Sequence, residues 1–132
     1  MDGVKGNEKM NKEETIYGGM TRAEKEVADY LQEINLYWLF ENPVFILDEK
    51  ERPRVWTPDF YLPELGIYIE VCGQERTCYD YRKDIYKKNR IQIIFIHQFK
   101  KENDWKEYLK KRIVEINAYR SDKVIDTLMK KK

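Results

Sequence analysis

Two carboxylates occupy positions that a short β-hairpin would bring together. Asp59 and Glu70 lie on either side of residues 63–66, whose Pro-Glu-Leu-Gly sequence is typical of a turn. If these four residues close a symmetric hairpin, Asp59 lies directly opposite Glu70 on one face of the sheet. Carboxylates paired across strands have Cβ atoms about 5 Å apart and repel each other. Either a bound cation offsets this repulsion, or both acids point into water from an exposed hairpin.

Mg²⁺ is the cation that suits this pair of acids. It takes hard oxygen ligands from one or two carboxylates and keeps water and substrate phosphate in its other positions. The backbone carbonyl of Val71 could add a ligand to those of Asp59 and Glu70. An ion held in this way polarises a phosphoryl oxygen and activates water near neutral pH, the two requirements of phosphodiester hydrolysis. The hairpin therefore suggests a hydrolytic site.

An upstream helix carries a third acid. Glu24 precedes Val27, Ala28 and Leu31 by three, four and seven residues, so it lies on or beside the apolar face of an amphipathic helix. Thr21 and Glu24 also fit a capping box, in which the glutamate reaches back to the Thr21 amide. Both roles are compatible if the Glu24 carboxylate caps the helix and also contacts a water on the metal.

A basic segment with interleaved tyrosines follows the hairpin. Its side chains could hold phosphate and stabilise charge that develops on a scissile group. A Lys- and Arg-rich helix is also typical of a solvated surface, which is the alternative here. The basic residues are Arg76, Arg82, Lys83, Lys87, Lys88 and Arg90, and the tyrosines are Tyr79, Tyr81 and Tyr86.

Hydrophobic periodicity predicts the elements that position these groups, in the order αβββαβα. The first three strands are expected to be antiparallel. The fourth is apolar at nearly every position, so we expect a central strand that is covered on both faces and parallel to the third. The predicted helices span residues 21–34, 78–89 and 105–116, the predicted strands span residues 43–47, 55–62, 67–72 and 91–96, and Ser121 is expected to cap a last short turn.

Composition indicates one domain and excludes several classes of protein. A chain of 132 residues, 42% of them hydrophobic, can form one packed core, which we expect over residues 21–132 after a flexible leader of residues 1–20. With one histidine and only Cys72 and Cys78, it offers no disulfide framework and no typical zinc ligand set. Its longest apolar runs are too short to span a membrane and no signal peptide is visible, so we expect a cytoplasmic protein without membrane contact.

The net charge of +1 hides an uneven distribution. Residues 1–72 contain 8 basic and 15 acidic side chains, whereas residues 73–132 contain 17 basic and 9 acidic ones. This split is compatible with a polyanionic partner and equally with solvated helix faces.

The segment 57–60, Thr-Pro-Asp-Phe, is followed eleven residues after its Asp by Glu-Val-Cys-Gly at 70–73. With an acid-bearing helix before it and a basic helix after it, this pattern resembles the PD-(D/E)XK nuclease superfamily. The resemblance extends over residues 21–116. Within it, the sequences of residues 58–63 and 67–70 are similar to those of small domains related to mismatch-repair nicking and junction-resolving enzymes. The resemblance implies an α/β, restriction-endonuclease-like αβββαβ core, with a mixed central sheet flanked by helices, plus a C-terminal helix.

The resemblance also implies roles for single residues. Asp59 and Glu70 would bind Mg²⁺ or Mn²⁺, and Glu24 would assist on the metal or its water. The lysine usual in the family would fall on Cys72, and a thiol neither orients water nor neutralises charge well. The following helix could supply the missing charge, preferably from Lys83 with Arg82 as a phosphate clamp, and Gln74 is a further candidate for orienting water.

The sequence thus favours a Mg²⁺-dependent endonuclease that cuts DNA. The first alternative is a catalytically degenerate DNA-binding module on the same fold, and the second is a scaffold protein whose basic helix only confers solubility. A one-domain nuclease that cuts both strands would need two copies, so a homodimer stays open as an alternative to a monomer. The expected catalytic residues are Glu24, Asp59, Glu70 and Lys83, the DNA-binding residues Arg76, Arg82, Lys87 and Arg90, and the metal ligands Asp59, Glu70 and Val71.

Overall fold

A computed structural model describes residues 17–73, 78–98 and 104–130 of the chain, which form both helices and strands. The labels used below run in chain order. The helices are α1 (Arg22–Glu33), α2 (Cys78–Lys88) and α3 (Asp104–Lys130), and the strands are β1 (Leu39–Phe40), β2 (Val44–Leu47), β3 (Pro53–Trp56), β4 (Phe60–Leu62), β5 (Ile67–Cys72) and β6 (Ile93–His97).

Helix α1 begins where its capping residues predict. The Thr21 hydroxyl accepts a hydrogen bond from the Glu24 amide at 3.1 Å, and the Glu24 carboxylate accepts one from the Thr21 amide at 2.9 Å. This reciprocal capping box satisfies two amides that the first turn of a helix would otherwise leave without partners. Val27, Ala28 and Leu31 on the apolar face are fully buried. The predicted helix is therefore confirmed.

Four strands form one mixed sheet in the order β1-β4-β5-β6. Strands β4 and β5 are antiparallel, with Phe60 opposite Ile69 and Leu62 opposite Ile67. This is the register predicted for a symmetric hairpin closed by residues 63–66. Strands β5 and β6 are parallel, as predicted for a crossover through a helix. The described chain is thus a mixed α/β protein.

The predicted strand over residues 55–62 is wrong as a single element. It divides into β3, which pairs with β2 in a separate two-stranded sheet, and β4. Between the two lies Pro58, which has no N–H to donate to a neighbouring strand. The chain therefore leaves one sheet after Trp56 and enters the other at Phe60. On its second side β4 pairs with β1, a two-residue strand that the periodicity does not predict.

The strand predicted over residues 91–96 is buried, but it is not central. Strand β6 begins at Ile93 and pairs with β5, and within the described ranges it is an edge strand. Its apolar run is explained by helices on both faces. Ile94 and Ile96 pack in a cluster with residues of α1 and α3, and Phe95 packs with residues of α2.

The C-terminal helix is longer than predicted, because α3 continues from Asp104 to Lys130 through Ser121. Neither Gly nor Pro interrupts this segment. The guanidinium of Arg120 donates to the carbonyl oxygens of Leu65 and Gly66, which fastens the helix to the β4–β5 turn one residue before Ser121. Despite its 27 residues, neither this helix nor another described one is apolar enough over sufficient length to cross a membrane.

Two hydrophobic clusters lie on opposite faces of the four-stranded sheet. Helices α1 and α3 pack against the face that carries Phe60, Ile67 and Ile69. Helix α2 and the β2–β3 hairpin pack against the other face, where Cys72 is buried. Because side chains alternate along a strand, Glu70 shares the second face with Cys72.

The core begins before residue 21, so the last part of the expected leader belongs to the domain. The ring of Tyr17 lies edge-on to that of Trp38, with 6.2 Å between centroids. Met20 is buried among the residues of α1. Residues 1–16 lie outside the described residues.

Candidate functional site

A cavity of about 600 Å³ opens where the carboxyl end of β5 meets the amino end of α1. The ends of β5 and β6 meet at this edge, since the Gln98 amide donates to the Cys72 carbonyl at 3.0 Å. The three acids proposed from the sequence all line it. We call it the acidic pocket, and the lining residues that matter here are Glu24, Asp59, Glu70, Val71, Tyr79, Arg82 and Gln98.

Asp59 and Glu70 are each held by the backbone of the other's strand. The Asp59 Oδ2 atom accepts a hydrogen bond from the Val71 amide at 2.7 Å. A hydrogen bond from the Asp59 amide acts in turn on the Glu70 carboxylate and lowers its pKa. Extending the β4–β5 register by one residue places Asp59 opposite Glu70. The two carboxylates therefore meet at the open end of the hairpin, as predicted.

Pro58 leaves the Val71 carbonyl without its usual partner in the sheet. The backbone groups of Tyr68 and Cys72 bond toward β6, so those of Val71 point toward β4. The last β4–β5 pair is Phe60 with Ile69; continued past the bend at Asp59, the register would bring Pro58 opposite Val71, and proline has no N–H to donate to the carbonyl. A backbone oxygen thus lies beside two carboxylates without a ladder hydrogen bond from the opposite residue. This position is compatible with the ligand role predicted for Val71.

The environment of Asp59 favours its protonated form. Burial, the nearby charge of Glu70 and a hydrogen bond with Glu24 together raise its pKa to about 8, against the opposing effect of the Val71 amide. Burial makes a charge costly, and a second carboxylate adds repulsion. Both effects would be reversed by a cation in the pocket, because a cation stabilises the ionised form of each neighbouring acid.

Glu70 is 8% exposed and pairs with a cation from helix α2. The Arg82 Nη1 atom donates to Glu70 Oε2 at 2.7 Å. Burial raises the pKa of Glu70 despite the opposing charge of Arg82. A single arginine therefore offsets only part of the negative charge that three acids bring to the pocket.

Glu24 fills the capping role predicted from the sequence and also interacts with Asp59, while its contact with a metal-bound water stays a prediction. Its Oε1 atom caps α1 by accepting from the Thr21 amide, and its carboxyl group also hydrogen-bonds to that of Asp59. If the Glu24 side chain turned away from the pocket, it would lose its capping hydrogen bond from the Thr21 amide. The position of Glu24 is thus fixed by the first turn of α1, to which it belongs.

Cys72, at the position where the resemblance predicts a lysine, is not among the residues that line the pocket. Its side chain is fully buried in the cluster under α2. Burial raises the pKa of its thiol to about 12, and the charges of Glu70 and Asp59 act in the same direction. The thiol is therefore neutral at physiological pH and is neither a nucleophile nor a source of positive charge.

The basic residues of α2 divide between two sites. Arg82 reaches the acidic pocket, whereas Lys83 lies over the ring of Phe95, with its Nζ atom 5.3 Å from the ring centroid. Lys83, Lys87 and Arg90 line a second groove, along β6. Helical spacing explains the division, because Arg82 and Lys83 flank the buried stripe of Tyr79 and Tyr86 on opposite sides. Gln74 and Arg76 lie outside the described residues.

Gln98 is a pocket residue that the sequence reasoning missed. Its side-chain amide donates to the Ala23 carbonyl at 3.2 Å, so it joins the end of β6 to the start of α1. The signal was present, since β5 and β6 were expected to be parallel and the carboxyl ends of parallel strands share one edge. Tyr79, one turn before Arg82 on α2, also lines the pocket.

A further buried acid, Asp48, has a structural role in the β2–β3 hairpin. It is 2% exposed and accepts hydrogen bonds from the Nε atoms of Arg52 and Arg54 at 3.0 and 3.1 Å. Burial alone would raise its pKa, but these bonds and those from the amides of Arg52 and Lys50 hold it well below the usual range. Lys88 of α2 donates to the Asp48 carbonyl at 2.6 Å, which ties the hairpin to the helix.

The acidic pocket has the donor chemistry that Mg²⁺ or Mn²⁺ requires. Asp59, Glu70 and the Val71 carbonyl offer hard oxygen atoms, and the raised pKa values show that negative charge there is poorly compensated. Among the described residues, no group of three or more His, Cys, Asp or Glu side chains is arranged to hold a metal ion. Mg²⁺ usually takes only one or two carboxylate ligands from a protein, and water and substrate phosphate fill its other coordination positions.

No protein-family model matches the chain, and no curated protein or solved structure is significantly similar to it.

Proposed function

We propose that this chain is a metal-dependent endonuclease that hydrolyses phosphodiester bonds in DNA, with Mg²⁺ or Mn²⁺ as its cofactor. The observation that carries the proposal is the meeting of Asp59 and Glu70 at the open end of the β4–β5 hairpin, with Glu24 beside them. Buried acids without a compensating charge are destabilising, so their retention in a surface pocket suggests a function.

The residues of the pocket would have separate roles in metal binding and in orienting water. Asp59 and Glu70, with the Val71 carbonyl, would hold the ion, which when bound supplies Lewis acidity toward a phosphoryl oxygen and toward water. Glu24 would accept a hydrogen bond from the attacking water and orient it. Its own position is fixed because it caps α1.

Arg82 is the residue that we propose in place of the family's lysine. It already lies in the pocket at 2.7 Å from Glu70, and its side chain is about two-fifths exposed, so its remaining N–H groups can reach a phosphate. A planar guanidinium matches the geometry of a phosphate group. Lys83, preferred on sequence grounds, points instead to the ring of Phe95.

The arrangement of elements supports the family resemblance. A capped helix, an acid-bearing antiparallel hairpin, a helical crossover and a parallel strand follow one another in the order α1, β4, β5, α2 and β6. We propose that this is a restriction-endonuclease-like core in which β2 and β3 form an added hairpin. A homodimer belongs to the same proposal, because cutting both strands of a duplex requires two such pockets.

Cleavage of labelled duplex, mismatched, flap and junction DNA, and of RNA, tests the proposal in Mg²⁺, in Mn²⁺ and in chelator. We expect metal-dependent cleavage that falls at least about a hundredfold in Asp59→Asn and in Glu70→Gln. Glu33→Gln is the matched control, since Glu33 is an exposed acid at the far end of α1. Mn²⁺ binding, followed by electron paramagnetic resonance, should be lost in the first two variants and kept in the third.

Cleavage that persists in chelator, or in both pocket variants, would refute the proposal. The rival function is a DNA-binding module without catalysis, and the buried, neutral thiol of Cys72 favours it. Tight, salt-dependent DNA binding without Mn²⁺ binding and without cleavage would establish that rival.

A further inference from the structure

A second groove, of about 970 Å³, runs along the outer edge of β6 between α2 and α3. We call it the β6 groove. Its floor contains Ile93 and Phe95, one wall carries Lys83 and Lys87 of α2 with Arg90 just after that helix, and the other carries Arg112 and Lys123 of α3. It is separate from the acidic pocket, which lies at the carboxyl end of β5.

The floor of the β6 groove is a sheet edge, at which Ile93 is half-buried and Phe95 is buried. The Tyr68 amide donates to the Gln92 carbonyl and the Gln98 amide donates to the Cys72 carbonyl, so even-numbered residues of β6 bond toward β5. Ile93 and Phe95 therefore direct their N–H and C=O groups outward, because successive residues of a strand alternate. In the described ranges no strand lies on that side of β6.

Both walls of the groove are predominantly positive. Lys83 and Lys87 face it from α2, Arg90 faces it from the turn after α2, and Arg112 and Lys123 face it from α3. Glu115 is the acid among the lining residues, and it accepts a hydrogen bond from Arg112 at 2.7 Å. The groove therefore favours an occupant that brings negative charge to both sides.

We propose that the β6 groove binds an extended acidic peptide segment of a partner protein, which adds a strand to the sheet at β6. A peptide backbone supplies both the acceptors and the donors that the outward groups of Ile93 and Phe95 need. Its side chains alternate toward the two walls, so acidic residues on either side meet cations. Five residues of partner strand, roughly 17 Å long, would cover β6.

Two other occupants fit the groove less well. A second copy of the chain, paired through its own β6, would bring two basic grooves together, and like charges facing each other weaken an interface. A nucleic acid backbone would satisfy the cations and the outward N–H groups. Its phosphates, however, have no donors for the outward carbonyls of Ile93 and Phe95, whereas a peptide backbone does.

Fluorescence anisotropy with a labelled peptide of alternating glutamate and valine tests the proposal on the full chain. We expect binding that is weakened about tenfold or more by Ile93→Pro relative to Ile93→Ala. Both variants lose the isoleucine side chain, but the proline variant alone loses the outward N–H, and proline is tolerated at such an edge position. Lys87→Glu should weaken binding to a similar extent, and Lys25→Glu on α1 should not.

Hydrogen exchange provides a measurement that needs no variant. The bound peptide should slow exchange of the Ile93 and Phe95 amides in the unmodified chain. The proposal is overturned if neither amide is protected, if a lysine–valine peptide binds equally well, or if Ile93→Pro and Ile93→Ala bind alike. It is also overturned if single-stranded oligothymidylate occupies the groove and the acidic peptide cannot displace it, which would assign the groove to nucleic acid. None of these outcomes depends on nuclease activity.

Discussion

Repulsion between neighbouring acids is the main electrostatic feature of the acidic pocket. Asp59 lies beside Glu70 and Glu24 in a partly buried position, and the one cation in contact with these acids that the structure describes is Arg82. Each acid is fixed by backbone or capping hydrogen bonds, so none can relieve the repulsion by turning outward. The consequences of this arrangement can be measured at single residues.

The metal-free protein should become less stable as pH rises from about 4 to about 8. The pKa of Asp59 is raised from 3.8 to about 8, so in this range the folded chain holds a proton that the unfolded chain has released. Stability therefore falls by up to about 1.4 kcal/mol per pH unit, and the raised pKa of Glu70 acts in the same direction. Urea denaturation in chelator at several pH values measures the slope. Asp59→Asn should flatten it, and an equal slope in that variant would assign the effect to other groups.

Arg82 and Lys83 should differ in their effect on catalysis, although they are neighbours in the chain. Arg82→Ala should lower kcat roughly a hundredfold, because it removes the cation beside Glu70 and the groups available to a phosphate. Lys83→Ala should leave kcat nearly unchanged, since Lys83 lies over Phe95. Single-turnover cleavage of both variants decides the matter, and Arg82→Lys should recover part of the rate. A larger loss in Lys83→Ala would reverse the assignment.

Among the elements, α3 is joined to the β4–β5 hairpin by one side chain. Arg120 donates to the carbonyls of Leu65 and Gly66 from the middle of the helix. Gly66 has φ of +63°, a conformation that favours glycine and that sets the turn between the two strands. The turn that closes the hairpin and the helix that covers it are therefore positioned together.

Arg120→Ala should destabilise the fold by about 1.5–3 kcal/mol, because it leaves two carbonyls without a charged donor. Thermal and urea denaturation measure this change. Lys110→Ala is the matched control on the same helix, where an exposed pair with Glu107 is lost, and it should have no measurable effect. Equal stability of the two variants would show that packing alone holds α3 in place.

For the whole molecule, ion binding and folding should be linked. An ion that binds the folded chain alone at about a hundred times its Kd adds about 2.7 kcal/mol of stability, which raises Tm by roughly 10 °C. Mg²⁺ should therefore raise the Tm of the unmodified chain and leave that of Asp59→Asn unchanged. Differential scanning calorimetry with Mg²⁺ and with chelator tests this. The shift should grow with pH, since the ion binds the ionised acids.

Local patterns in the sequence predict much of the fold. The capping box at Thr21, the four-residue turn at 63–66 and the alternation of β5 were sufficient for the start of α1 and the hairpin register. That register is the reason why Asp59 and Glu70 could be paired in advance. Periodicity of the following segment likewise predicts α2 and the parallel crossover.

What could not be predicted depends on contacts distant in the sequence. Strand alternation continues through Pro58, so it does not reveal that β3 and β4 join different sheets. The fastening of α3 by Arg120 depends on a turn more than fifty residues earlier. Arg82 and Lys83 flank the buried stripe of α2 on opposite sides, so the choice between them depends on tertiary contacts, with Glu70 for Arg82 and with Phe95 for Lys83.

The ladder between β4 and β5 stops at the pair of Phe60 and Ile69, two residues after Pro58. Any other residue at position 58 would carry an amide hydrogen. That hydrogen could bond to the Val71 carbonyl and extend the antiparallel pairing of β4 with β5. The open end of the hairpin would then be narrower, and the Val71 carbonyl oxygen would accept that hydrogen bond and be less available as a ligand for an ion. Pro58 cannot supply that amide hydrogen, so the proposed entry of a phosphodiester beside the two acids is not narrowed by a further pair between the two strands.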